Sequence, residues 1–191
     1  MPIYRDKKSG CWRFDFDRRI ELASLLGELG YGAMGPQGPG PNAPAPREVP
    51  SGVYFDLATW HLINTVYTPS RVAEFRRMRD YYAEPLQHRR LMTVLEERLG
   101  HALAGAAEQA KIDVATDGRA LIDLAEVERG LAAALDEPVA AAAIETDLER
   151  IVQAARETAR RAGLAPGAID TLYFTGGSTG LSSLVQRIGA V

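Results

Sequence analysis

Near the C-terminal end of the sequence, Thr175-Gly176-Gly177-Ser178-Thr179-Gly180 joins a stretch of strand character, Thr171 to Phe174, to an apolar-periodic segment, Leu181 to Ile188. The pattern predicts a strand, a glycine turn and the start of a helix. Paired glycines remove the Cβ atoms that would hold a ligand away from the backbone. The first amides of a helix point outward without partners and favour an anion. Ser178 and Thr179 add hydroxyls. The chemistry on offer is a cradle for a phosphate or for the sugar edge of a nucleotide. The motif is neither G-x-x-x-x-G-K-[ST], since no lysine follows, nor G-x-G-x-x-G. A strand-to-helix turn that binds nothing has the same local sequence.

Other chemistry-bearing residues are sparse. Glu97 and His101 are spaced i, i+4, but no second histidine completes H-E-x-x-H and Cys11 is the only cysteine, so the sequence predicts no metal site. His61, His88 and His101 read as surface or packing residues. No catalytic residue is assigned. Arg71, Arg76, Arg77 and Arg79 are interleaved with Glu74 and Asp80, which predicts a solvated face.

Composition sets the frame. The 191 residues are 46% hydrophobic and 25% charged, with a net charge of -3, so nothing favours a nucleic-acid or anionic-membrane partner. One cysteine fits a reducing compartment. The first residues lack the apolar run of a signal peptide, and the longest aliphatic run, Val139 to Ile144, cannot cross a bilayer. The expectation is a soluble cytoplasmic protein.

The elements follow from periodicity. Residues 3–17 predict a hairpin, with Trp12, Phe14 and Phe16 alternating with Arg13, Asp15 and Asp17. Asp17 to Tyr31 predicts a helix stopped by Gly30. Gly32 to Pro50, crowded with glycine and proline, reads as a flexible surface loop or linker unable to pack a core or hold a ladder. Asp56 is expected to cap a helix carrying Leu57, Trp60, Ile63 and Tyr67. Thr68-Pro69 starts a second helix, and Pro85 a third that runs on through Leu91, Leu95, Leu99 and Leu103. Asp117-Gly118 reads as a hairpin turn, Ala120 to Leu124 as a strand and Ala125 to Leu135 as a short helix. Pro138 to Arg161 predicts one long helix, stopped at Gly163.

Two resemblances add to this reading. Y-R-D-K-K-S-G-C-W-R-F-D-F, residues 4–16, is similar to the opening of phage-type integrases, within an arm-site DNA-binding domain. No recombinase pattern follows it. Over residues 15–188, the order Asp15-Phe16-Asp17, Glu108-Gln109-Ala110-Lys111, a long helix, a connector ending Ala168-Ile169-Asp170, a strand and Gly176-Gly177-Ser178-Thr179 resembles the heat-shock-70 (DnaK-like) chaperones. V-Y-F-D-L-A-T-W-H-L-I-N is similar to a bacterial DnaK-like subgroup. The part resembled is lobe II of the actin-like ATPase domain.

The resemblance implies a helix-rich α/β fold: a partial actin-like ATPase lobe with a mostly helical subdomain, behind a short N-terminal β-hairpin. It divides the chain into 1–31 (hairpin and helix), 32–50 (loop or linker) and 51–191 (incomplete lobe II). Gly176, Gly177, Ser178 and Thr179 would line the adenosine and α-phosphate side of ATP or ADP, and Glu108 and Lys111 would lie at the ribose. The family's arginines after G-G-S-T and after E-x-A-K are Gly180 and Ile112 here, which implies poorer adenine contacts. The first lobe, with its phosphate loop, lysine and magnesium-placing carboxylates, has no match in the chain. Phosphoryl transfer needs both sides, so the resemblance implies a fragment that binds nucleotide without hydrolysing it alone, with Mg2+ only if a first lobe is supplied. The partners implied are nucleotide, a separate first lobe or a client protein. Two further readings stand beside it: a non-catalytic interaction or regulatory module, and a DNA-binding accessory protein led by the hairpin.

Overall fold

A computed structural model describes residues 4–5, 12–13, 16–40, 43–165, 167–173 and 182–190. The fold is helix-rich and α/β in class, with small antiparallel pairs of strands. The first pair joins β1 (Tyr4–Arg5) to β2 (Trp12–Arg13), with Tyr4 opposite Arg13 and Arg5 opposite Trp12.

Helix α1 (Phe16–Ala23) is shorter than the expected helix over 17–31. The Ser24 hydroxyl donates to the Ile20 carbonyl at 2.7 Å, a bond that competes with helix continuation. A 3-10 turn, Leu26–Leu29, follows and buries Leu26 and Leu29. Gly30 stops the segment as expected, at φ 101°, with its N–H on the Gly27 carbonyl.

The glycine- and proline-rich segment holds more structure than its composition implies. Gly35 N–H donates to Arg47 O at 2.7 Å and Val49 N–H to Ala33 O at 2.8 Å, around a Met34–Glu48 bridge. Val49 is 2% exposed and enters the core. The expectation that this stretch packs nothing and pairs with nothing is corrected: two rungs of ladder hold its ends together.

Asp56 does not cap a helix. It lies inside α2 (Gly52–Leu57) and receives Arg71 Nη2 at 2.8 Å. Threonine hydroxyls break the predicted continuation, Thr59 on the Phe55 carbonyl and Thr65 on the Leu62 carbonyl, and a 3-10 turn, Ile63–Tyr67, takes its place. Helix α3 (Pro69–Arg76) has proline in its first turn, as expected, and a third 3-10 turn, Arg79–Tyr81, leads to α4 (Pro85–Glu96).

The expected single helix through Leu103 is two. Arg98 takes φ 56°, a left-handed conformation that ends α4, and α5 (Gly100–Asp117) starts two residues on. Gly100 permits the change of direction: a Cβ there would press on the Tyr67 hydroxyl, Ile63 and Leu57, and its N–H donates to Tyr67 Oη at 2.8 Å.

Gly118, at φ 75°, closes α5 as a left-handed C-terminal residue and not as the centre of a hairpin turn. Strand β3 (Arg119–Asp123) pairs with β4 (Ala132–Asp136), in register Ala120–Leu135 and Ile122–Ala133. The helix expected over 125–135 is therefore corrected to a turn and a strand. Asp123 Oδ1 accepts from Ala125 N–H and Gly130 takes φ 81° to bring the chain back. Pairing and the burial of alternate residues Ala133 and Leu135 override alanine's helix preference.

Helix α6 (Glu137–Arg161) is the long helix expected. Asp136 caps it by accepting from Val139 N–H at 2.9 Å, and Arg160 and Arg161 occupy the last turn. Residues 171–173 do not form the strand expected of them, and Phe174 lies outside the described residues. Helix α7 (Ser182–Gly189) packs on α6.

The core is one cluster on both sides of residues 32–50. It runs from Ile20, Leu25 and Leu29 through Val53, Leu57, Leu91 and Leu95 to Ile122, Leu135, Ile144 and Leu148. Helix α1 packs against both α5 and α6.

Candidate functional site

The sequence places its candidate ligand-binding residues on two stretches, α5 and the glycine loop. On α5, the residues facing the core are Leu103, Ala107, Ala110 and Val114, the side that packs against α1 and β3. Lys111 lies on that side and is 6% exposed, whereas Glu108 faces solvent. The helix thus presents the two residues three positions apart in different surroundings, the carboxylate wet and the ammonium sheltered. Gly176, Gly177, Ser178 and Thr179 lie outside the described residues.

The elements on either side of that loop form a cleft of about 350 Å³. One wall is the C-terminal half of α6, with Ala155 and Ala159. The others are Leu164, Ile169 and Leu172 of the connector and Ile188 of α7. Alanines on α6 leave the room, and the left-handed Gly163 (φ 70°) and Gly167 (φ 80°) turn the connector back along the helix. Arg187 Nη1 donates to the Glu145 carboxylate at 2.6 Å and ties α7 to α6. Arg156 and Arg160 also line the cleft. Arg160 and Arg161 both bond the Glu157 carboxylate, at 2.8 and 2.7 Å, and hold it below its ordinary range. Apolar walls beside guanidinium groups suit a flat or apolar body carrying negative charge.

A polar group that the sequence did not single out lies in the core between the 26–30 turn, α2 and α4. Tyr54 donates to the Leu29 carbonyl at 2.9 Å, and the Tyr82 hydroxyl sits 2.8 Å from the Tyr54 oxygen. Tyr54's one proton is on Leu29, so Tyr82 donates to Tyr54. Burial pushes both phenols up, Tyr54 the further, while the hydrogen bond with Tyr54 pulls against the shift at Tyr82. His88 stacks edge-on against Tyr82 at 5.1 Å and its Nε2 lies 2.9 Å from the Phe75 carbonyl. Tyrosine within V-Y-F and Y-Y is the only trace of this group in the sequence. His61 is exposed, and His101 meets the Trp60 ring at 4.6 Å. The described residues bring no three of His, Cys, Asp and Glu together in a metal-binding arrangement.

Helix α1 is joined to α6 by a charge pair that also escaped the sequence reading. Arg19 Nε bonds Asp147 Oδ2 at 2.5 Å, with Asp147 2% exposed. Arg90 likewise bridges Glu28 at 2.8 Å and Glu128 at 2.9 Å, which raises its own affinity for a proton and lowers that of Glu128.

No protein-family model, curated protein or solved structure matches this chain.

Proposed function

We propose that this chain is the adenosine-side half of a heat-shock-70-type (DnaK-like) nucleotide clamp, which binds ATP or ADP and does not hydrolyse it alone. One observation carries the reading, the order of elements. A helix bearing Glu108-Gln109-Ala110-Lys111 passes into an antiparallel hairpin, β3–β4, then a 25-residue helix, a connector, the glycine segment and a closing helix, α7. This is the succession the sequence resemblance calls for in lobe II of an actin-like ATPase, except that residues 171–173 are not in the strand expected before the glycine segment. Gly176 to Thr179 would receive the α-phosphate and sugar on backbone amides, with Glu108 accepting from the ribose or adenine edge and Lys111 near the ribose. In-line phosphoryl transfer requires charge neutralisation from an opposing lobe, and with it Mg2+.

Titration of the chain with ADP and ATP by calorimetry tests this. The expected result is saturable binding that Gly177→Asp abolishes while the circular dichroism spectrum is unchanged, with no phosphate release. No heat at millimolar nucleotide would remove the reading.

A second reading is an interaction module that pairs with a separate lobe or a client protein. It is favoured by exposed apolar residues around the α6–α7 cleft, where Leu164, Ile169 and Leu172 are each nearly half exposed and Tyr173 is 91% exposed.

A further inference from the structure

We propose that a second site binds a phosphate monoester: the cleft between the C-terminal end of α3, the 3-10 turn Arg79–Tyr81 and α4. The cleft has a volume of about 590 Å³. Its rim carries Arg76, Arg79 and Arg89, and its apolar surface comes from Pro85, Leu86 and Met92. Glu84, Glu96 and the buried His88 also line it.

Several arginines, Arg156 of the α6–α7 cleft among them, have no hydrogen bond or ion pair with a described residue, but here two such guanidinium groups line one cleft. Arg71 is held by Asp56, Arg90 by Glu28 and Glu128, and Arg187 by Glu145. Within the cleft Arg76 is held by Glu96 at 2.6 Å. The guanidinium groups of Arg79 and Arg89 make no hydrogen bond or ion pair with a described residue, although the charge of Arg89 is felt at Glu128. His88 has its Nε2 committed to the Phe75 carbonyl. Two planar donor forks therefore line one cavity without being bonded to its carboxylates, and a third is engaged by Glu96 at its edge.

A tetrahedral oxyanion fits that arrangement. Arginine forks bind phosphate bidentately, with more donors than a carboxylate can use. A compact anion fits better than a polyanion, because the whole chain carries -3 and Glu74, Asp80 and Glu84 interrupt the basic residues. The apolar surface beside the arginines gives the ester's organic group a place to lie. The source of the monoester, a phosphorylated side chain or a small metabolite, is left to experiment. This site is independent of the nucleotide reading, so nucleotides are not the probe.

Phenyl phosphate is titrated into the full chain by calorimetry, beside inorganic phosphate, benzoate, a phosphoserine peptide and a single-stranded oligonucleotide at physiological salt. Saturable binding of phenyl phosphate is expected, weaker for inorganic phosphate and for benzoate. The double variant Arg79→Gln/Arg89→Gln should lose at least about tenfold in affinity, the scale of one charge-assisted contact. Its circular dichroism and melting should be unchanged, because both arginines are exposed. Glu96→Gln should bind more tightly, since Arg76 is released. Tighter binding of the phosphoserine peptide than of phenyl phosphate assigns the site to phosphorylated protein, and the reverse order assigns it to a small ester. The proposal is overturned if phenyl phosphate fails to saturate at millimolar concentration, if the double variant binds it equally well, if benzoate matches it, or if the oligonucleotide outcompetes it.

Discussion

Tyr54 and Tyr82 show how one hydroxyl pair fixes a junction. The Tyr54 proton satisfies the Leu29 carbonyl, and the Tyr54 oxygen accepts from Tyr82, so each buried polar atom has a partner. Replacing Tyr54 with Phe leaves both the carbonyl and the Tyr82 hydroxyl without it. The expected loss is about 2–3 kcal/mol in urea unfolding, against about 1 kcal/mol for Tyr82→Phe, which removes a donor only. The same pair sets an alkaline limit. Both phenols hold their protons more tightly folded than unfolded. Their contribution is complete below the ordinary phenol value of about 10 and is lost as pH rises past it. A steep fall in melting temperature above that pH, much shallower in Tyr54→Phe, is the expected profile. Gly30 belongs to the same junction: a Cβ there would lie 2.6 Å from Tyr82 Cε1. None of this is legible in sequence, where a tyrosine's partner can be 25 or 28 residues away. The placement of Lys111 is more legible. Leu103, Ala107, Ala110 and Val114 recur at helical spacing, and position 111 falls four residues from Ala107 on the same face. The E-Q-A-K motif names the residues of interest, but the apolar stripe around them decides which is sheltered.

At the scale of elements, the boundaries that could be read were those set by local chemistry. Asp136, Pro138, the stripe Ile144–Leu148–Ile151, Arg160 and Arg161 and then Gly163 mark α6 at both ends without help from the rest of the chain. β4 has no such marks. Leu131-Ala132-Ala133-Ala134-Leu135 has helical propensity, and only its pairing with β3 makes it a strand. The break between α4 and α5 is equally silent, because arginine does not announce a left-handed turn. Arg98 at φ 56° carries strain that glycine would not. Arg98→Gly is expected to raise stability by up to about 1 kcal/mol, visible as a higher urea midpoint at unchanged slope. A lower midpoint would show that the side chain, and not the backbone, holds the corner.

At the scale of the molecule, α1 is the wedge. It packs on α5 and α6 together, and its Arg19 meets Asp147 in a site closed to water on the α6 side. Asp147→Ala should cost about 2–3 kcal/mol, less than the 3–5 of a fully buried pair, because Arg19 keeps about a quarter of its exposure (27%). Asp147→Asn, which keeps the acceptor, should recover part of that in thermal melting. Equal melting of all three proteins would mean that helix packing alone seats α1.

The partners in that contact stand 128 residues apart in the chain. During synthesis at about 5–20 residues per second, the side of α1 that faces α6 waits roughly 6–25 s before α6 exists to cover it, although α5 is made earlier. For that interval the α6-facing side of α1 is open to whatever else is in solution. The yield of native protein should therefore depend on what shelters the nascent chain before its own last long helix arrives.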